Sequence, residues 1–342
     1  MMGMMGMMGM MGMMAPDRHA PMNQSAAGPV RFRVVGIEDG MMLRQLLGKR
    51  LKLPPAAAAE IVRAGGAYVG PVRICVPTLR VTVGERVTVY PEAAKIAAVE
   101  PGALHLLHSD DNCVIVDKPH GVPAAATKAA NRGTLAQALV SRLTHDGVLR
   151  PYVGLVHELP PAASGLVLYT IRSQTTGSFF KEFAALPIHR SYRVRLRGSF
   201  VGDTLVCEMP VVCLPAGGGW RLARDGDRDP IAARTEFRKL AELGEETLAT
   251  VMLADSPSQA IRLHAAALGL PVVGDGEPGA TLCLLAETLA FTQPRTGAEI
   301  SVRATLPAWA TVPGSPGSPG AGDVLPGPDL IGAQGSGDDD PA

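Results

Sequence analysis

The chain has 342 residues, 46% of them hydrophobic, with 32 Lys or Arg balanced by 32 Asp or Glu. That length suits one large domain plus a small one, and the absence of any apolar run of about 18 residues excludes a membrane-spanning helix. Five scattered cysteines without a C-x-x-C pair point to reduced thiols in a cytoplasmic protein, so no metal site or redox couple is expected.

The overall charge balance hides an asymmetry. Residues 311–342 contain five Asp and no Lys or Arg, while residues 31–310 hold 31 basic against 26 acidic residues. This modest basic excess is compatible with a polyanionic partner but does not demand one. The opening MMGMMGMMGMMGMM lacks the basic start of a signal peptide. It reads as a disordered repeat or misplaced start, with a soft thioether site for a copper(I)-type ion as the alternative. GSPGSPGAG at 314–322 opens a tail that cannot build a core. The expected organisation is a leader at 1–30, a small unit at 31–91, a large domain at 102–311 and a tail at 312–342.

In the small unit, MMLRQLLGKRL spaces its apolar residues as a helix, and AAAAEIVRAGG after Pro54-Pro55 predicts a second, closed by Gly65-Gly66. AYVGPVRI and LRVTVGERVTVY predict short strands about turns. In the large domain NCVIVDK, GLVLYT, YRVRLRG, ATVMLAD and LAFTQP predict strands, and GTLAQALVSRL, TTGSFFKEFAAL and QAIRLHAAALG predict helices. Strands and helices mix without regular βαβ alternation. That argues for an α+β fold on a mostly antiparallel, mixed sheet with flanking helices.

Five blocks in order carry a specific resemblance. They are LLHSDDNCVIVDKPHGV, GTLAQAL, GLVHELPPAASGLVLYT, FFKEFAALPIHRSYRVRLRG and IRLHAAALGLPVVGD. Together the chain resembles an RluA-type pseudouridine synthase over nearly all of 104–310. The small unit resembles the α+β RNA-binding domain that precedes the catalytic domain in many such enzymes, with Arg44, Lys49, Arg50, Lys52 and Arg63 as its phosphate-facing residues. The resemblance implies the pseudouridine synthase fold, ribosomal or transfer RNA as partner, no cofactor and a monomer. It places Tyr192 where the family stacks a tyrosine on the extruded uracil, and Arg262 where an arginine pairs with the catalytic carboxylate. Lys118, His157, Ser164, Arg190 and Arg193 are expected along the RNA-binding cleft.

The departures fall on the chemistry. The family's aspartate, which attacks the nucleoside, is replaced by Pro160, a residue with neither nucleophile nor hydrogen-bond donor. The neighbouring Arg is Glu158, the Thr is Ala163, and the family's T-G-R-x-H-Q is replaced by residues 255–260. Glu158 and Pro160 project to one face of an extended segment roughly 7 Å apart, so Glu158 is expected as a substitute partner for Arg262. The reading that follows is an RNA-binding member of the family with an impaired or inactive site. Its alternatives are an active synthase using Glu158 as a displaced carboxylate and a protein-interaction scaffold that has abandoned RNA.

Overall fold

The computed structural model describes residues 29–95, 99, 101–171, 188–214, 219–253, 256–277 and 279–312. The leader, most of the tail, the helix expected at 175–186 and Asp255 lie outside the described residues.

Residues 30–93 gather around a core of their own. Two helices, α1 (Leu43–Leu51) and α2 (Pro55–Arg63), bury Leu43, Leu46, Leu47, Ile61 and Val62. Pro55 opens α2, where its missing N–H costs no helical bond and its ring presets the backbone. The helices cover an antiparallel sheet of four strands, β1 (Val30–Arg33), β2 (Ala67–Val69), β3 (Val72–Ile74) and β4 (Arg86–Val89), in the order β1-β4-β2-β3. VRFR forms β1 in addition to the strands that the sequence predicts. LRVTV is not a strand. Its backbone instead bonds the 40–43 turn, with Val81 N–H donating to Met41 O at 3.0 Å and Gly40 N–H to Val81 O at 2.9 Å.

The larger unit is built on ten strands. In chain order these are β5 (His105–Ser109), β6 (Cys113–Lys118), β7 (Gly154–Leu155), β8 (Ser164–Thr170), β9 (His189–Arg197), β10 (Thr204–Cys207), then, past the separate hairpin β11 (Val211–Leu214) and β12 (Gly219–Leu222), β13 (Thr235–Leu243), β14 (Glu246–Leu253), β15 (Leu284–Thr292) and β16 (Glu299–Arg303). The spine runs β10-β13-β14-β9-β15-β8-β6-β5, with β16 on β15 and β7 on β8. Among these pairings β15 with β8 is parallel and the rest antiparallel, as the irregular mixture of elements predicts. Helix α3 (Leu135–His145) packs Leu135, Ala138 and Leu139 into the main core. Its cap is reciprocal: Thr134 Oγ1 accepts from Gln137 N–H at 3.2 Å, and the Gln137 side chain accepts from Gly133 N–H at 2.9 Å. Helix α4 (Gln259–Ala267) buries Ile261 and Ala265 in the same core.

The segment after the 118–122 turn fastens the two units. Ala130 enters the small core, Asn131 N–H donates to Ala64 O at 3.0 Å, and Tyr68 and Arg73 donate to the carbonyls of Lys128 and Thr127. No helix among the described residues is long and apolar enough to cross a membrane.

Candidate functional site

Position 160 lies in a turn between β7 and β8. Pro160 is buried, its carbonyl accepts from Ala163 N–H at 3.0 Å, and Pro161 occupies the second turn position, which its fixed φ favours. Two neighbours hold this turn. Gly121 N–H donates to Pro161 O at 2.8 Å, and Lys118 Nζ shares its N–H groups among the carbonyls of Pro119 (3.1 Å), Val122 (2.9 Å), Pro161 (3.0 Å) and Ala163 (2.5 Å). Lys118, expected to face RNA, is therefore wholly enclosed, and burial pushes its amine down to about 7. Its part in the fold is to bind two turns together.

Beyond the turn, Ser164 starts β8 half-buried and in register with Leu285 of β15. Gly165 follows with φ +104, a backbone region that L side chains rarely adopt, and lies flat against Ala286. The S-G pair thus sets how closely the strand leaving position 160 approaches β15.

Opposite stand Tyr192 and Arg190 on β9. The Tyr192 ring is 1% exposed within the main core, between Val251 of β14 and Ala286 of β15. It is enclosed rather than presented to a flipped base. Burial raises its phenol above the ordinary value, while the charge of and a hydrogen bond from Arg190 oppose that rise. Arg190 also reaches the Ser256 carbonyl at 3.4 Å. His157 lies close enough to feel the same guanidinium. Burial first, and Arg190 second, lower its imidazole to about 4. The neutral ring uses Nε2–H toward Leu166 O at 3.3 Å, since a carbonyl only accepts, and Nδ1 is then a buried acceptor without a partner. Tyr192, Arg190 and His157 form one connected group, a grouping that separate motifs do not reveal.

Arg262 does not pair with Glu158. Its guanidinium grips Asp275 with Nε 3.0 Å from both carboxylate oxygens and Nη2 closing the fork. Asp275 ends the IRLHAAALGLPVVGD block, so the partner was present in the motif but unassigned. Glu158 is exposed, and its backbone carbonyl accepts from Ser258 Oγ at 3.1 Å at the start of α4. Two residues of an extended segment share a face, but that spacing does not locate Arg262, whose guanidinium is already held by Asp275.

The remaining basic residues divide sharply. Arg193 is buried, forked onto Glu287 at 2.9 and 2.6 Å, with Nη1 on Ala310 O at 2.7 Å, and Arg303 shares the same carboxylate. It braces β9 to β15 and does not face RNA. Arg195 and Arg197 pair with Glu246 and Glu277. In the small unit Arg50 is ion-paired with Glu38 at 2.7 Å and lies over Phe32. Arg44 is half-buried, whereas Lys49 and Arg63 are exposed, Arg63 beside Glu60. Arg44 and Lys49 are about 140° apart around α1, so they do not form one ridge. Residues 29–90 nonetheless carry ten Lys or Arg against four Asp or Glu, while residues 101–312 carry twenty of each. The whole basic excess resides in the small unit.

No family model matches the chain. Among curated relatives, an uncharacterized RNA pseudouridine synthase, YlyB, of Bacillus subtilis is 28% identical over 242 residues, covering 67% of this chain and 78% of its own. A ribosomal large subunit pseudouridine synthase D of Xanthomonas campestris is likewise 28% identical, over 67% of this chain and 74% of its own. The solved structure of human RNA pseudouridylate synthase domain containing 1 superposes with a TM-score of 0.49 at 18% identity, covering 61% of this chain and 86% of that one. Five motifs in family order, and relatives of this kind 28% identical over 67% of the sequence, make the chain similar to the RluA-type RNA pseudouridine synthases.

Proposed function

We propose that the protein is an RNA-binding member of this family that no longer isomerises uridine. The observation that carries the reading is the turn at 160–163. Where the reaction needs an ionised carboxylate against the sugar, a buried proline stands in a hydrogen-bonded turn held by Lys118. Two further features support it. Arg262 is already satisfied by Asp275, and Tyr192 is enclosed in the core. RNA contact is retained through the small unit, whose surplus of cations suits a phosphate backbone.

The test uses purified full-length chain with RNA labelled with tritium at uracil C5. The expected result is no tritium release over hours, together with RNA binding that weakens as salt is raised. Release that disappears in Glu158→Gln would overturn the proposal in favour of a displaced carboxylate. Absence of RNA binding at low salt would overturn it in favour of a protein scaffold.

A further inference from the structure

The β5–β6 hairpin gathers a second set of reactive groups that plays no part in the reading above. His108, Asp110 and Cys113 each offer one ligand atom, and these atoms lie within 4.8 Å of one another. A backbone irregularity brings them together. Leu106 pairs with Val116, and regular antiparallel register would set His108 opposite Val114, on the sheet face away from Cys113. A β-bulge between Leu106 and His108 instead pairs His108 with Ile115. Because side chains alternate with period two, that single extra residue turns the imidazole onto the face shared by Cys113 and Ile115.

We propose that His108, Asp110 and Cys113 form a three-ligand site for a zinc-class divalent ion, with water in a fourth, solvent-side position. The donor set of one imidazole nitrogen, one carboxylate oxygen and one thiolate sulfur is the mixture zinc accepts. The spacing agrees. His108 Nε2 and Asp110 Oδ2 are 3.5 Å apart, long for a hydrogen bond but close to the roughly 3.3 Å edge of a tetrahedron with metal bonds of about 2.0–2.1 Å. The Cys113 sulfur lies within 4.8 Å of both atoms, on the same face of the hairpin.

The carboxylate is held in place before any ion arrives. Asp110 Oδ1 accepts the N–H groups of Asn112 at 2.6 Å and Cys113 at 2.7 Å, which fixes the plane of the group. Oδ2 accepts from buried Gln293 Nε2 at 3.2 Å, which leaves its second lone pair toward His108. Outer partners of this kind orient a metal ligand. Access is from solvent, because His108 and Asp110 side chains are 26% and 29% exposed while Cys113 lies beneath them. On binding, the sulfur–hydrogen bond breaks, its proton passes to solvent, and the thiolate pair is donated to the ion.

The experiment titrates metal-stripped full-length protein with zinc against a chromophoric chelator, and with cobalt(II) followed by absorption. Methionine thioethers prefer soft monovalent copper, so the Met/Gly leader does not compete for these probes. One equivalent of zinc is expected, with a thiolate-to-cobalt charge-transfer band in the near ultraviolet. Cys113→Ser abolishes that band, and His108→Ala weakens zinc binding at least tenfold. Asp110→Asn weakens it too while keeping an oxygen for the two backbone donors, so it separates ligand loss from hairpin collapse. Cys213→Ser, at an exposed cysteine on β11, leaves all signals unchanged. No stoichiometric binding by the folded wild-type protein, or binding that survives in both Cys113→Ser and His108→Ala, would overturn the assignment.

Discussion

Arg262 on α4 and Asp275 in the loop after it form a forked ion pair with side chains 16% and 6% exposed. The pair belongs to the fold, because the guanidinium that the family resemblance assigns to a catalytic carboxylate is committed to a different one. Removing one partner of a mostly buried pair leaves the other charge desolvated, and losses of about 3–5 kcal/mol are typical for fully buried cases. Some solvent reaches this one, so Asp275→Asn is expected to cost about 2–3 kcal/mol in urea unfolding. Arg262→Met with Asp275→Asn together should cost less than the sum of the two single changes, as a double-mutant cycle requires for coupled residues. Additive losses would show that the two side chains do not depend on each other.

Lys118 gives a pH signature. Burial holds its amine near 7 in the folded chain against an ordinary 10.5, so between those values the unfolded state binds a proton that the folded state lacks. Stability therefore rises with pH across that window and is flat with respect to this group below it. The slope is at most about 1.4 kcal/mol per pH unit. Lys118→Met should remove the rise and leave four carbonyls without their donor, at a cost of about 1–3 kcal/mol. Urea midpoints of both proteins between pH 6.5 and 9.5 check this, and parallel slopes would contradict it.

Much of this was legible in the sequence. The α+β class follows from apolar spacing that switches between helical and alternating patterns, and Pro54-Pro55 marks a helix start that the structure keeps. Pairings were not legible. Arg193 in HRSYRVRLRG reads as a cation on a solvated strand face, and only the β9–β15 register reveals Glu287 beside it. Glu158 reads as a replacement for the missing carboxylate because two-residue spacing puts it on the face of position 160, but spacing along the chain does not reveal that Asp275 already holds Arg262. The grouping of His108 with Cys113 depends on one bulge, a feature that composition does not encode.

His157 should stay neutral well into the acid range. Its buried ring beside Arg190 is lowered to about 4 from the ordinary 6.5, so the unfolded state takes up a proton first as pH falls. Stability contributed by the neutral ring is complete above about 6.5 and is lost as pH drops toward 4. Ring carbon shifts followed by NMR should show no titration between pH 7 and 5. A midpoint near 6.5 would mean that the ring is solvated.

Gly165→Ala tests the strand that leaves position 160. A Cβ there would meet Ala286 N at 2.7 Å and its carbonyl carbon at 2.9 Å, on a residue whose φ is +104. Backbone strain and overpacking each cost about 1–3 kcal/mol, so a loss of about 2–4 kcal/mol is expected. Thermal or urea unfolding would register it, and a change below about 0.5 kcal/mol would show that β8 and β15 are not held this closely.

RNA binding should separate the two classes of arginine. Each phosphate contact adds about 0.7–0.9 to the slope of log affinity against log salt, with the lower value for single strands. Lys49→Gln with Arg63→Gln alters the exposed cations of the small unit, so affinity should fall and the slope should shrink by about 1–2. Arg193→Gln removes a buried brace on Glu287, so at a temperature where the variant stays folded its slope should equal that of the wild type. Filter binding at several salt concentrations measures both. A reduced slope in Arg193→Gln with an unchanged one in the small-unit variant would move the RNA-binding surface onto the large sheet.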